Sequence, residues 1–261
     1  MDTATPLNPL QTESLVAPVA RIPADPAERL VVALDFPSAE IAMDMVDQLQ
    51  GVCRWFKVGM ELYYAAGNPI LDHLRERGFS VFLDLKLHDI PNTVAGAVRT
   101  VAGVGGVSLL TIHAGGGEKM MRAAAQAASR PDAPRLLAVT VLTSMDAAEL
   151  EAVGVTGDGG AVDAQVLRLA RLAKAAGING LVCSPLEVAA VRKVMGPDAL
   201  LVVPGIRPAT AAGSDDQSRV ATAADAIASG ASMVVVGRPI TQASNPAQAA
   251  TEILEQIRDA G

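Results

Sequence analysis

The sequence predicts an α/β fold, a single (β/α)8 barrel of the TIM type, and three observations predict it. Its 261 residues are close to the roughly 250 of one such barrel. Eight short apolar runs alternate with segments of helical periodicity, and strict alternation implies a parallel sheet with right-handed crossovers. Charged residues stand at or just after the C-terminal ends of those runs: Asp35, Lys57, Asp84, Lys86, Arg207 and Arg238. In a closed barrel these ends converge on one mouth, where active sites lie. An open doubly wound sheet is the alternative, but no dinucleotide-binding fingerprint follows the first run.

Residues 1–28 hold several prolines and little periodicity. They read as an N-terminal extension, flexible or packed over the outside, and residues 29–261 as the barrel domain. LVVALDF (30–36) is the first strand, with Ser38 as N-cap of the helix that follows. RWFKVGMEL (54–62) reads as the second. Asn68-Pro69 then supplies an N-cap and a first-turn proline, and Gly78 closes that helix. SVFLDLKL (80–87) is the third strand, and Pro91 opens a helix to about Gly103. The fourth and fifth strands are VSLLTIHA (107–114) and RLLAVTVL (135–142), the former followed by the helical stretch 115–128. An amphipathic helix spans 163–176 and stops at Gly177. GLVCSP (180–185), LLVVPGI (200–206) and SMVVVGRPI (232–240) complete the barrel, with a helix at 222–229 and a final one capped by Asn245-Pro246. Residues 144–162 and 207–220 are irregular and rich in Gly, Asp, Ser or Thr. Long loops on the active face of a barrel bind ligand or close over it.

Composition narrows the partners. Net charge is −7 with no basic block, which argues against nucleic acid. No apolar run reaches the length of a membrane span, and the N-terminus lacks the pattern of a signal peptide. A cytoplasmic protein is expected. Cys53 and Cys183 sit far apart in apolar runs and read as buried free thiols of a reducing compartment. His73, His88 and His113 show no metal-ligand spacing, so no metal is expected. His73 reads as surface, His88 as orienting its charged neighbours, and His113 as a hydrogen-bonded structural residue.

The chemistry concentrates in SVFLDLKLHDIPNT, residues 80–93. Strand side chains alternate with period 2, so Asp84 and Lys86 share one face while leucines cover the other. With Lys57 and Asp89 they form an array of alternating sign. Such an array costs folding stability unless it serves a reaction. It would favour loss of negative charge from a substrate, or protonation of a carbanion by Lys86. Gly237 and Arg238, with Arg207, sit where barrels bind phosphate, after strands seven and eight.

DLKLHDIPNT (84–93), LDF (34–36), KVG (57–59), TVLTSM (140–145), PGIRP (204–208) and GRPIT (237–241) together resemble the orotidine 5′-phosphate decarboxylase family. The order and spacing agree from about residue 30 to 258. The resemblance implies conversion of orotidine 5′-monophosphate to UMP and CO2 without metal or organic cofactor. It implies Lys86 as proton donor, Asp84 against the leaving carboxylate, and Lys57 completing the network and touching the ribose. Asp35 would bind ribose hydroxyls and Thr143 the pyrimidine. Arg207, Gln217, Gly237 and Arg238 would hold the phosphate. The whole run Asp84, Leu85, Lys86, Leu87, His88, Asp89, Ile90, Pro91, Asn92 and Thr93 would line the substrate site. Within it, Asp89, counted with the catalytic group, and Thr93 would reach into the neighbouring site of a homodimer. Three readings compete: a metal-dependent phosphosugar decarboxylase or aldolase on the same barrel, a Schiff-base aldolase using Lys86, and a non-catalytic sensor of a phosphate ligand.

Overall fold

The computed structural model describes residues 23–156, 161–207 and 220–261. Eight parallel strands close into a barrel in sequence order. They are β1 (Leu30–Ala33), β2 (Trp55–Gly59), β3 (Ser80–Leu87), β4 (Val107–His113), β5 (Arg135–Val139), β6 (Gly180–Val182), β7 (Leu200–Val203) and β8 (Met233–Val236). Pairing of β1 with β8 shuts the ring.

The strands are apolar along most of their length because both faces are covered. Alternation sorts their side chains into two cores. Leu30, Val32 and Leu34 point outward into the layer beneath the helices. Val31 and Ala33 point inward, where they meet Phe82, Leu109, Leu137, Leu200, Val202, Met233 and Val235. Trp55 packs against this inner cluster, and its indole N–H donates to Glu28 Oε2 at 2.6 Å. Residues 26–28, the last of the predicted extension, form a short 3-10 turn joined in this way to β2. Residues 1–22 lie outside the described residues.

The helices follow from local signals. Ser38 caps α1 (Ala39–Gln48), Pro91 stands in the first turn of α4 (Pro91–Val104), and Asn245 caps the last helix, Pro246–Ala260. Between them run α2 (Met60–Ala66), α3 (Asn68–Glu76), α5 (Gly117–Ala127), α6 (Ala147–Ala152), α7 (Val162–Ala175), α8 (Val188–Met195), α9 (Ala223–Ala228) and α10 (Arg238–Thr241), so the last helix is α11. Among the described residues, no helix is long and apolar enough to cross a membrane.

Several local expectations are revised, and β1, β5, β6 and β7 each end about three residues short of the apolar run that marked them. Residues 54–62 are not one strand: β2 ends at Gly59 and α2 begins at once, because a short apolar run has no period that separates strand from helix. Asn68 lies inside the first turn of α3, and Gly67, at φ 63°, takes the cap position. The eighth strand stops at Val236, and residues 238–241 turn into α10 with Pro239 in its first turn. The irregular stretch 144–162 contains α6, opened by a reciprocal capping box between Asp146 and Glu149. Of the second long loop, residues 208–219 lie outside the described residues, and Gln217 with them.

Candidate active site

Each inward row of side chains changes character as it climbs. Val31 and Ala33 lead to Asp35, Trp55 leads to Lys57, and Phe82 leads to Asp84. The apolar rows form the floor and the charged residues the wall of one cavity of about 680 Å³. Ala33, Phe82, Val139, Val182 and Val235 line its base, and Asp35, Lys57, Asp84 and Lys86 its side. Thr143, Arg207, Gly237 and Arg238 line it as well. The predicted site residues Asp35, Lys57, Thr143, Arg207, Gly237 and Arg238, on β2 or just past the ends of β1, β5, β7 and β8, therefore meet here.

The charges alternate in space. Lys57 Nζ donates to Asp35 Oδ1 at 2.8 Å and stands 3.8 Å from Asp84 Oδ2. Lys86 Nζ reaches both Asp84 oxygens at 3.0 Å. The Lys57 and Asp84 side chains are 11% and 14% exposed, so each depends on its neighbours in place of water. Asp35, at 56%, opens toward the mouth.

Simple alternation does not place Lys86. Pairing of β3 with β4 slips between Leu83 and Leu87: Leu83 faces Leu110, while Leu87 faces Ile112. The slip is a bulge, which re-aims side chains. Lys86 sits within it at φ 50°, the only non-glycine at positive φ among the described residues. Such strain persists where the surroundings over-determine it, typically at functional sites. Leu85 and Leu87 pack against the outer core, as the leucine face predicts.

Gly59 explains the glycine of the KVG segment. A Cβ there would lie 2.9 Å from Asp35 Oδ1 and 3.0 Å from Lys57 Nζ. Both are ends of side chains, so Gly59→Ala should fold but displace the ion pair. A displacement of this kind is expected to lower kcat by about 100-fold with little change in Tm. Wild-type kcat in that variant would show that the Asp35–Lys57 contact is dispensable.

The remaining residues of the 84–93 run lie outside the cavity. His88, Asp89, Ile90, Asn92 and Thr93 are exposed, and Pro91 is half-buried at the start of α4. Ile90 is 67% exposed, and the Asp89 carboxylate accepts the Ile90 N–H at 2.6 Å. His88 stacks on His113 with ring centres 5.1 Å apart. His113 Nδ1 accepts the Gly115 N–H at 3.0 Å, the structural role expected of it. Burial, then the charges of His88 and Lys86, push the His113 pKa down. Cys53 and Cys183 are buried and form no disulfide, and burial raises the Cys53 thiol to about 12.

Sequence reasoning passed over cavity-lining residues such as Met60, Thr241 and Gln242, and a residue that supports the charged wall from behind. Thr111, on β4 and fully buried, hydrogen-bonds both Asp84 and the Lys86 backbone. A threonine in a β-strand carries no signal by type; only its register, two positions above inward-facing Leu109, could have singled it out. Among the described residues, no three His, Cys, Asp or Glu side chains group as metal ligands would.

Residues 28–253 match the Orotidine 5'-phosphate decarboxylase / HUMPS family. The chain belongs to the orotidine 5′-phosphate decarboxylase family. Its likeness to an orotidine 5′-phosphate decarboxylase of Anaeromyxobacter dehalogenans is 53% identity over 228 residues, 87% of this chain and 97% of that protein. A second such decarboxylase, from Halorhodospira halophila, is 52% identical over 235 residues, 89% of this chain and 97% of the relative. The crystal structure of orotidine 5′-phosphate decarboxylase from Lactobacillus acidophilus superposes with a TM-score of 0.76 at 38% identity, covering 88% of this chain and 98% of the other. The closed barrel is thus shared with a solved orotidine 5′-phosphate decarboxylase, and the family match begins at the short 3-10 turn before β1.

Proposed function

We infer that this chain decarboxylates orotidine 5′-monophosphate to UMP and CO2, the last step of UMP synthesis. The observation that carries the reading is the alternating row Asp35–Lys57–Asp84–Lys86 along one side of a cavity with an apolar floor. Family membership supports the substrate.

In this reading the pyrimidine enters with its C6 carboxylate beside Asp84. The C6–carboxyl bond breaks, CO2 leaves, and the electron pair stays on C6. The Lys86 ammonium stabilises that carbanion and then donates a proton to C6, giving UMP and a neutral lysine that regains its proton from water. Asp84 crowds the departing carboxylate and keeps Lys86 charged, which also makes Lys86 a poor Schiff-base nucleophile. Lys57 holds Asp84 in place and, with Asp35, takes the ribose hydroxyls. Thr143 contacts the pyrimidine. Arg207, Gly237 and Arg238 take the phosphate through charge-assisted hydrogen bonds, with Gln217 assigned to them by motif alone.

The exposed residues Asp89 and Thr93 have a place in this reading as parts of a second site. Ile90, a large apolar side chain left in solvent beside them, supports a second copy covering this rim, with Asp89 and Thr93 completing the neighbour's cavity. The rest of the run, Leu85, Leu87, His88, Pro91 and Asn92, then shapes the rim that both copies share.

The test is the fall in absorbance of orotidylate with purified protein and EDTA present. Turnover with chelator, by a protein that sediments as a dimer, is the expected result. Activity abolished by EDTA and restored by a divalent ion would point to the metal-dependent phosphosugar chemistry. UMP binding with orotidylate left unchanged would mark a sensor, and a monomer would remove the shared site.

A further inference from the structure

We propose that Thr111 is a positioning residue for the reaction, setting the Asp84–Lys86 pair in its working geometry. The proposal rests on the decarboxylase reading above. Thr111 is fully buried, and its hydroxyl stands between the two groups. Oγ1 accepts the Lys86 backbone N–H at 2.8 Å and donates to Asp84 Oδ1 at 2.9 Å. A hydroxyl has one proton. With the Lys86 amide pointing in, that proton goes to the carboxylate.

Two consequences follow from this one side chain. First, the bulge takes the Lys86 amide out of the regular β3–β4 ladder, where a buried N–H must still be paired. Thr111 pairs it, and so holds the backbone that carries the ammonium at its φ of 50°. Second, Asp84 Oδ1 receives Thr111 on one side and Lys86 Nζ on the other, which fixes the rotation of the carboxylate. Oδ2 is reached by Lys86 Nζ at 3.0 Å and, less closely, by Lys57 at 3.8 Å. Thr111 therefore couples the main chain of the proton donor to the side chain of the acid. It touches neither floor nor mouth of the cavity, so it acts through its partners and not on the substrate.

Thr111→Val removes the hydroxyl at nearly constant shape, and Thr111→Ser keeps it. Rates and UMP affinities are measured against wild type, whose own turnover is the separate test of the decarboxylase reading. Misplacement of the pair should lower kcat of Thr111→Val by about 100-fold. KM for orotidylate and Kd for UMP should stay within about threefold, because binding groups elsewhere are intact. Thr111→Ser should restore kcat to within about threefold of wild type, the mark of a hydroxyl effect. If Thr111→Val fails to fold by circular dichroism, Thr111→Ala makes the same comparison with more room to relax. The proposal is overturned if the variant lacking the hydroxyl keeps wild-type kcat, if Thr111→Ser falls as far as Thr111→Val, or if KM and the UMP Kd rise while kcat holds.

Discussion

Lys86→Ala is expected to lose kcat by about 10⁴-fold or more while keeping the fold. A positioned general acid contributes roughly 10²–10⁴-fold, and a preorganised charge at the site of developing negative charge roughly 10²–10³-fold. Lys86 is assigned both roles, so its removal takes both. Its side chain is 30% exposed, and truncation leaves no sealed cavity. The loss does leave Asp84 with Lys57 as its remaining cation, 3.8 Å away, and with the Thr111 hydroxyl. Lys86→Arg separates the two roles: it keeps a positive charge but has no proton to give near neutral pH. It should therefore stay far closer to the alanine variant than to wild type. The measurement is orotidylate absorbance at saturating substrate, with circular dichroism to show that both variants are folded. An alanine variant within tenfold of wild type would remove Lys86 as the donor.

The barrel was legible because eight apolar runs, each followed by a helical period, leave few topologies open. Boundaries were less so: nothing in MEL after KVG separates the start of α2 from the end of β2, since Leu62 is buried either way. The charged wall was legible from Asp35, Lys57, Asp84 and Lys86 because strand ends of a barrel converge whatever their spacing in sequence. What alternation could not supply was the geometry of Lys86. The expectation put it on Asp84's face by period 2, and it reaches Asp84, but through a bulge and a left-handed backbone. A bulge depends on how two strands mismatch, and neither strand's sequence states that alone. Thr111 was missed for the same reason, since its role exists only across the β3–β4 ladder. Asp89 and Thr93 stand outside this chain's cavity, and the role implied for them needs a second chain, which a single-chain fold does not supply.

Orotidine, which lacks the phosphate, should lose turnover as well as affinity. Two unit charges about 4 Å apart interact by roughly 4 kcal/mol at an effective dielectric of 20, whereas enzymes remove about 8–23 kcal/mol from their barriers. Repulsion between Asp84 and the leaving carboxylate is therefore too small to carry the rate alone. It is also partly offset by the lysines on either side of Asp84. The remainder has to come from a site held closed and dry, and the phosphate is the group best placed to hold it. Arg207, Gly237 and Arg238 line the same cavity as the charged wall; in the proposed reading, energy gained there from the phosphate is spent on forcing the carboxylate against Asp84. If the phosphate only anchored the ligand, its removal would raise KM and leave kcat alone. If it drives the chemistry, kcat for orotidine should fall by at least about 100-fold, the scale of a misplaced reacting group. Arg238→Ala makes the assignment specific: it should weaken turnover of the phosphorylated substrate and leave the slow turnover of orotidine nearly unchanged. Equal kcat for the two substrates in wild type would mean that the charged wall works without help from the rim.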